Sequence, residues 1–535
     1  MVIEKRNIEV RTFHGRARKM AHTVSIAIIG TGFAGLGMAA RLKRAGFHNL
    51  TLFEKADDIG GCWRDNTYPG AACDVPSHLY SYSFAQNTEW SRRFAPQAEI
   101  HQYLRDTADR FGITPHIRFN AHVTTAEFDE ATATWAITLE DGSVHVADIL
   151  IAATGLLNRP LIPGIPGLDT FQGEQFHSAT WNHDYDLTGK SVAVVGTGAS
   201  AIQFVPAIAP RVARLTLFQK DAAHVIPKPD HPFAPIARTA FRRIPGLQRL
   251  SRWLTYWQLE PRGAAFTRFP QLLKIADRQF RRNISRQVTD DALRTKLTPE
   301  DPIGCKRILL SNEYYGALTR DNVDVVTSAI TEVTPTGVKT SDGRLHEVDA
   351  IIYGTGFRAT EVLGPMRVTG RNGRLLREAW RDGAEAHLGI SVAGFPNLFI
   401  LYGPNTGLGH SSVVLMLEAQ INYVLQAVRR LARGDVAWLE VRPTVQAVSN
   451  AALQQRIRTS VWAQECDSWY RTTSGKNTIQ WPGFTFEYAA RTRRLNESDF
   501  HLEPVGARGL PPRRNDEREN KRIPHPADRR DRWPR

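Results

Sequence analysis

The chain is poor in cysteine, with four in 535 residues, namely Cys62, Cys73, Cys305 and Cys466. None of them forms a CxxC or CxxxxC pair, which argues against both a dithiol redox centre and a zinc site. So few cysteines do not make the disulfide framework that stabilises small secreted domains. We therefore expect a protein of the reducing cytoplasm that binds no metal.

Long apolar runs are also missing. No run approaches the roughly 18 residues that a transmembrane helix needs, so we expect no membrane span. Residues 1–22 lack the apolar core of a secretory signal, and we interpret them as a loose leader, with Met20 as an alternative start. The 42% hydrophobic and 23% charged residues are typical of a globular protein of two or three domains.

The net charge of +14 is concentrated at the two ends of the chain. Residues 1–22 carry +4 and residues 504–535 carry +5, which leaves +5 for the body. A basic nucleic-acid-binding protein is one explanation, but the tail mixes acids with its arginines and has almost no interleaved aromatics. We therefore expect no nucleic-acid partner and a disordered tail at 504–535.

Two strand–glycine–helix patterns are present, about 165 residues apart. The first has an apolar strand at 24–29, a GxGxxG loop, a helix to about Gly46 and a second strand at 50–54. Such a loop gives a tight turn, lets a pyrophosphate approach the backbone and lets helix and strand pack closely. Glu54 ends the second strand, where a carboxylate accepts ribose hydroxyls. The predicted contacts in the loop are Gly30, Gly32, Phe33, Ala34 and Gly35.

The second pattern follows the strand at 191–195 and has the GxGxxA form. Its next strand, 215–218, leads to Lys220 instead of an acid. A lysine at that position attracts a 2′-phosphate and favours NADPH over NADH, although Asp221 beside it also fits a solvated surface lysine. The predicted contacts in this loop are Gly196, Thr197, Gly198, Ala199, Ser200 and Ala201.

Two buried-strand patterns at 148–155 and 349–356 each end in Thr-Gly, as expected where a chain leaves one nucleotide domain for the next. Between them the segment 231–300 is helical, basic and aromatic. We interpret its stripe at helical spacing as the buried face of an insertion, with a membrane surface as the alternative. The stripe consists of Leu247, Leu250, Leu254 and Trp257. The predicted fold class is α/β, with two Rossmann-like dinucleotide-binding domains and a helical insertion.

We predict a domain organisation in which the second nucleotide domain is inserted into the first. The predicted segments are 1–22 as leader, 23–158 and 376–503 as the FAD-binding domain, 159–190 as interdomain linker, 191–222 and 301–375 as the NADP-binding domain, 223–300 as the helical insertion and 504–535 as the tail.

Two further motifs give the chain a family resemblance. Residues 171–181 match FxGxxxHxxxW, and residues 60–74 match [A/G]GxWxxxx[F/Y]P[G/M]xxxD throughout. Over roughly residues 23–500 the chain resembles the type I Baeyer–Villiger monooxygenases of the class B flavoprotein monooxygenases. Trp181 favours this group, since related N- and S-oxygenating enzymes usually have Tyr or Phe there. Asn182 departs from the Pro or Asp that usually follows.

The resemblance implies residue roles position by position. Glu54, Trp63, Asp74, Tyr80 and the backbone near Val123 look like FAD contacts, and Gly403, in Gly-Pro-Asn-Thr-Gly, looks like a contact of the flavin pyrimidine. The implied NADP contacts are the residues from Thr197 to Gln203, together with Lys220, Lys306 and Trp469.

Arg307 and Asp74 are the predicted catalytic residues. Lys306 and Arg307 resemble the family's Lys-Arg element, in which the lysine holds the 2′-phosphate and the arginine faces the flavin. Asp74 is expected to orient the guanidinium, although a purely structural ion pair is the alternative. For His177, within FxGxxxHxxxW, we favour a role in positioning the two domains over proton chemistry.

The implied activity is a monooxygenation that uses FAD, NADPH and O₂. A C4a-peroxyflavin would insert one oxygen atom next to a ketone carbonyl, giving an ester or lactone. The alternative activity is oxygenation of sulfur or nitrogen in small molecules, such as sulfides. A flavin disulfide reductase is disfavoured by the missing dithiol.

Overall fold

The structure, a computed structural model, describes residues 24–464 and 468–506. The predicted leader at 1–22 lies outside the described residues, as does the tail after residue 506. Residues 504–506, which we assigned to the tail, are described, and the last strand runs to Pro504.

The described residues form 21 strands and 14 α-helices. The strands are β1 Ile26–Ile29, β2 Leu50–Phe53, β3 Ile117–Arg118, β4 Val123–Asp129, β5 Thr134–Leu139, β6 Val144–Ala147, β7 Ile149–Ala152, β8 Glu174–His177, β9 Ser191–Val195, β10 Arg214–Phe218, β11 Val225–Ile226, β12 Leu309–Leu310, β13 Val323–Val326, β14 Ile330–Thr334, β15 Gly337–Thr340, β16 Leu345–Glu347, β17 Ala350–Tyr353, β18 Arg367–Thr369, β19 Leu398–Ile400, β20 Val436–Val441 and β21 Phe500–Pro504. The helices are α1 Phe33–Arg44, α2 Cys62–Asp65, α3 Gln97–Arg110, α4 Ala201–Ile208, α5 Pro235–Arg243, α6 Leu247–Leu259, α7 Gly263–Thr267, α8 Leu273–Gln287, α9 Asp291–Lys296, α10 Tyr314–Leu318, α11 Leu376–Ala379, α12 Val413–Leu431, α13 Pro443–Arg458 and α14 Thr485–Arg491.

Two five-stranded parallel sheets organise the molecule. The first has the order β19-β7-β1-β2-β3 and the second has the order β13-β10-β9-β17-β8. Strands β1, β7 and β17 are buried at every residue, which explains their continuous apolar sequences, since a parallel sheet is covered on both faces. The predicted pair of nucleotide-binding sheets is thus present.

Four smaller sheets of the described residues extend this framework, one of which pairs β11 in parallel with β12. Strands β4, β5 and β6 form an antiparallel meander, and β18 adds to it in parallel with β4. Strands β14 to β16 form a second meander, and β20 pairs antiparallel with β21. Because β18 joins the sheet of β4, the chain returns to the first half at residue 367, nine residues before the predicted boundary of 376.

The segment 159–190, predicted as a linker, contributes to the second sheet. Its strand β8 pairs in parallel with β17, so that His177 lies opposite Tyr353 at the sheet edge. The motif FxGxxxHxxxW therefore ends a strand of the second sheet and leads into β9. Sequence alone did not show this, because β8 has only four residues and two of them are charged or amidic.

Helices α5 to α9 form the predicted helical insertion, but the side on which its apolar stripe lies was predicted wrongly. Leu250, Leu254 and Trp257 are about half exposed, so the stripe is not the buried face of α6. Helical periodicity shows that apolar residues share a face, and it does not show which way that face points. No described helix has the length and apolar character needed to cross a membrane.

Candidate active site

The loop after β1 has the geometry of a dinucleotide site. Gly30 has a φ of 102° and a Cβ there would lie 2.6 Å from the carbonyl oxygen of Ala153. A Cβ at Gly35 would overlap the carbonyl oxygen of Gly30. Gly32 differs, because its φ of −78° suits any residue and a Cβ would meet nothing closer than 3.8 Å. The protein itself thus requires glycine at positions 30 and 35 but not at 32, where close approach of a ligand explains it.

Helix α1 begins directly after this loop, at Phe33, and its N-cap residue makes no side-chain capping hydrogen bond. The first backbone N–H groups of a helix have no partner within the helix and carry partial positive charge. The N–H groups of Phe33, Ala34 and Gly35 are of this kind. They can bind an anion such as a pyrophosphate.

Glu54 is buried at the end of β2 and accepts four hydrogen bonds. One carboxylate oxygen accepts from the backbone N–H (3.2 Å) and the hydroxyl (2.6 Å) of Thr31. The other accepts from the backbone N–H of Ala56 (3.2 Å) and the guanidinium of Arg64 (2.8 Å). Arg64 was not predicted from sequence, although it directly follows the predicted Trp63. It offsets the cost of burying the Glu54 charge and fixes the carboxylate beside the glycine loop.

Three of the other predicted FAD contacts lie around Phe33 and Glu54. The Tyr80 ring lies 5.0 Å from the Phe33 ring, and the indole N–H of Trp63 donates to the Tyr80 hydroxyl at 3.1 Å. Val123 begins β4, two residues after Ala121, whose N–H donates to the carbonyl of Glu54. These residues therefore lie at one end of the first sheet, around the first glycine loop.

The second loop repeats the geometry of the first. Gly196 has a φ of 105° and a Cβ there would lie 2.6 Å from the carbonyl oxygen of Gly354. Gly198 has no left-handed φ, and a Cβ there would meet nothing closer than 3.6 Å. The Thr197 hydroxyl donates to the Asp221 carbonyl at 2.7 Å, which ties the loop to the end of β10. Ala199 and Ser200 lead into α4, which begins at Ala201. Position 198, like position 32, requires glycine for a ligand and not for the fold.

Gln203 on α4 joins the two halves of the molecule. Its amide donates to the carbonyl of Ala72 at 3.0 Å, and its amide oxygen accepts from the Tyr68 hydroxyl at 3.0 Å. A Cβ at Gly70 would lie 2.6 Å from the Gln203 carbonyl oxygen. The Gln203 side chain, predicted as an NADP contact, is thus engaged with the segment that carries the 60–74 motif.

Two lysines lie at the end of β10. Lys220 is exposed, and Lys306 forms ion pairs with Asp221 (3.1 Å) and Asp301 (2.6 Å). Burial alone would lower the pKa of Lys306, but its hydrogen bonds to Asp301 and Asp221 outweigh burial and raise that pKa. The structure therefore brings the two predicted phosphate-binding cations together through Asp221. It also shows two carboxylates at Lys306 that the resemblance had not indicated.

Arg307 and Asp74 are in direct contact although they are 233 positions apart. The Nε and Nη2 of Arg307 both donate to one oxygen of Asp74, at 3.0 and 2.5 Å. Each side chain keeps about a third of its surface exposed. The pair therefore links the 60–74 segment of the first half to the Lys-Arg element of the second half, and it remains accessible to a substrate.

The charges of the pair stabilise each other. The Asp74 carboxylate raises the pKa of Arg307 further above its ordinary value, against the effect of burial. Burial would raise the pKa of Asp74, but the charge and hydrogen bonds of Arg307 keep it below its ordinary value. Lys228, which was not predicted, adds a second cation that also lowers the pKa of Asp74. Both groups are thus charged at neutral pH.

The predicted pyrimidine-binding segment begins at Gly403, next to Tyr402. Burial raises the pKa of Tyr402 to about 12, and Arg307 is close enough to oppose that rise. Asn405, with a φ of 56°, donates from its side chain to the Asn477 carbonyl at 2.9 Å, which holds the segment in place. Arg307 therefore lies close to Tyr402, the residue that precedes this segment.

The remaining predicted residues lie farther out or have structural roles. Trp469 is 45% exposed, with its ring beside that of Tyr470. His177 is buried, its Nδ1 accepts from the Ala179 N–H at 3.0 Å, and burial lowers its pKa. The role in positioning the two domains that we favoured for His177 stays a prediction, because this hydrogen bond lies within its own segment. Cys62 and Cys73 are free thiols.

Comparison with known proteins identifies the family. Residues 23–361, more than half of the chain, match the family model described as flavin-binding monooxygenase-like. The chain belongs to this family. A protein of Streptomyces coelicolor named Baeyer-Villiger monooxygenase is 47% identical over 487 residues, which cover 90% of this chain and 94% of the relative.

Solved structures of similar proteins agree with this membership. Oxidized steroid monooxygenase bound to NADP is 32% identical, with a TM-score of 0.80, and the match covers 90% of this chain and 99% of that one. The OTEMO complex with FAD and NADP is 28% identical, with a TM-score of 0.81, covering 90% and 100%. The predictions of the fold class and of a flavoprotein monooxygenase are confirmed.

Proposed function

We propose that this protein is an FAD- and NADPH-dependent Baeyer–Villiger monooxygenase that converts ketones to esters or lactones. The observation that carries the proposal is the Arg307–Asp74 pair. It joins the half of the molecule that contains the first glycine loop to the half that contains the second, and it lies close to Tyr402, which precedes Gly403. The name of the Streptomyces coelicolor relative gives the same activity. The solved structures of similar proteins hold NADP, and one of them also holds FAD, which are the predicted cofactors.

The residues present fit both cofactors. Gly32 and Gly198 lie in loops where the fold tolerates a side chain but a pyrophosphate would not. Residues 24–158 and 367–506 would hold FAD through the first loop and Glu54, and residues 174–222 and 301–353 would hold NADPH. Bound there, the two cofactors would supply hydride transfer and the activation of O₂.

The chain's own residues supply orientation and charge. Arg307 presents a permanent cation where negative charge develops on the carbonyl oxygen of a reacting ketone, and such stabilisation is worth several kcal/mol. Asp74 fixes the guanidinium by accepting two hydrogen bonds on one oxygen. Tyr402 and Tyr470 near Arg307 stay protonated at neutral pH, because burial raises the pKa of each to about 12.

We expect Lys306→Ala and Lys220→Ala to lower the preference for NADPH over NADH. A lost charge-assisted contact with the 2′-phosphate costs roughly 1.5–3 kcal/mol, or about ten- to a hundredfold in affinity. Asp221→Asn should act oppositely, since its carboxylate competes with the phosphate for Lys306. Steady-state kinetics with both coenzymes measures the preference, and Lys339→Ala, on the exposed side of β15, is the matched control. An unchanged ratio in both lysine variants would remove them from the phosphate site.

The substrate proposal is tested by NADPH consumption over linear, cyclic and aryl ketones and over sulfides, with products identified by mass spectrometry. We expect esters or lactones from at least one ketone class. Heteroatom oxygenation is the second candidate function, because this family's name does not distinguish the two oxygenations. Sulfoxides as the sole products would replace our proposal with that activity.

A further inference from the structure

The helical insertion carries an unusual share of exposed apolar surface. Of the 18 large hydrophobic side chains that are exposed in the described part of the chain, nine lie in residues 235–287. Four of them, at spacing i, i+3, i+4 and i+7, form one face of α6, and we call them the α6 outer face. They are Leu250 (50% exposed), Trp253 (56%), Leu254 (55%) and Trp257 (47%).

Helix α6 packs on the protein largely through polar side chains, with Tyr256 and Leu259 adding apolar contacts near its C-terminal end. Arg252 is buried and donates to the carbonyls of His78 (2.9 Å), Leu79 (3.1 Å) and Ser81 (2.8 Å). The Gln248 amide donates to the carbonyl of Asn87, and Ser251 contacts His78 at 2.7 Å. An ordinary surface helix buries its apolar face and exposes its polar face. The reversed arrangement in α6 shows that its orientation is fixed by specific hydrogen bonds, and that its apolar face is directed outward.

The charge around the α6 outer face is strongly positive. Residues 235–287 contain twelve Lys or Arg and two acids. One acid, Glu260, is buried and accepts from the Thr485 hydroxyl at 2.8 Å, while the other, Asp277, pairs with Arg281. Arg243 and Arg249 flank the face and are exposed. Tryptophans and leucines surrounded by arginines are the composition of a helix that lies in the interface of an anionic bilayer.

We propose that the helical insertion docks on an anionic lipid surface through the α6 outer face and its flanking arginines. A second copy of the chain fits less well, because a two-fold interface would place this basic surface against itself. The segment after residue 506 is also a poor occupant of the α6 outer face, because it carries a net positive charge and has few apolar side chains.

Co-sedimentation of the full-length protein with vesicles tests the proposal. We expect binding to phosphatidylcholine vesicles that contain phosphatidylglycerol, and weak binding to phosphatidylcholine alone. The double variant Arg243→Gln/Arg249→Gln should bind the anionic vesicles about thirtyfold less tightly, since each surface cation contributes about 1 kcal/mol. Trp253→Ser/Trp257→Ser should lose at least about tenfold through the lost apolar contact. The matched control, Val144→Ser/Val146→Ser, removes two similarly exposed apolar side chains of β6, outside the helical insertion, and should bind normally.

A second readout locates the contact, because the basic ends of the chain can also attract anionic vesicles. Brominated acyl chains should quench part of the protein's tryptophan fluorescence in the parent and the control. That quenchable part should disappear in Trp253→Ser/Trp257→Ser. Equal binding and equal quenching in that variant would overturn the proposal. So would a dimer, seen by analytical ultracentrifugation without lipid, that the same variant converts to monomer.

Discussion

Arg307→Ala is expected to bind FAD and to be reduced by NADPH, yet to form no detectable ester and to release hydrogen peroxide. The substitution removes the guanidinium and leaves the predicted phosphate contact at Lys306 in place. Several kcal/mol of electrostatic stabilisation would be lost where negative charge develops, which amounts to about a thousandfold or more in rate. Product analysis by gas chromatography, together with a peroxide assay, separates oxygenation from simple NADPH oxidation.

Two further variants refine this experiment. Arg307→Lys should restore little activity, because a point charge does not reproduce the two hydrogen bonds that the guanidinium makes with Asp74. Asp74→Ala should fall between the parent and Arg307→Ala, with slower reduction and weaker oxygenation. Ester formation by Arg307→Ala at more than about a tenth of the parent rate would exclude a central role for Arg307.

Gly32→Ala is expected to fold normally and to lose FAD. The added methyl group would meet no protein atom closer than 3.8 Å, and the backbone there is in a region open to alanine. A pyrophosphate held by the first N–H groups of α1 would be pushed away, and losing two such charge-assisted bonds costs about a hundredfold or more in affinity. Flavin absorbance per polypeptide and the thermal midpoint measure the two effects.

Gly198→Ala is the matched counterpart in the second loop, where the nearest protein atom would be 3.6 Å away. It should keep FAD and its thermal midpoint but lose NADPH affinity. Gly35→Ala is the structural control, because its methyl group would overlap the Gly30 carbonyl and should prevent normal folding. Full flavin content in Gly32→Ala would show that FAD lies elsewhere.

The features that the sequence predicted well are local. A run of apolar residues, a glycine loop and a helix occur within about 20 residues, and their geometry is set by backbone sterics, so both nucleotide folds could be read directly. The contact between Asp74 and Arg307 was also anticipated, but from a family resemblance and not from the physics of the chain.

The features that the sequence missed depend on tertiary packing. Gln203 joins the two halves only because the fold brings distant segments together. Arg64 reaches Glu54, ten positions away, only because the chain after β2 folds back on the end of that strand. Asp221 at Lys306 was missed because it comes from a distant segment, whereas Asp301 lies only five positions from that lysine. Helix α6 is the clearest case, since its periodicity was correct and its orientation depends on the buried hydrogen bonds of Arg252, which no pattern in the sequence reveals.

The most direct test of the proposed function is to follow the oxygen atom. The protein, NADPH and a ketone that it converts are incubated under ¹⁸O₂, and the product is analysed by mass spectrometry. We predict one ¹⁸O atom in each ester or lactone molecule and one NADPH consumed for each product formed. An ester that carries no ¹⁸O, or NADPH oxidation that yields only hydrogen peroxide with every ketone and sulfide tried, would contradict the assignment of this chain as a Baeyer–Villiger monooxygenase.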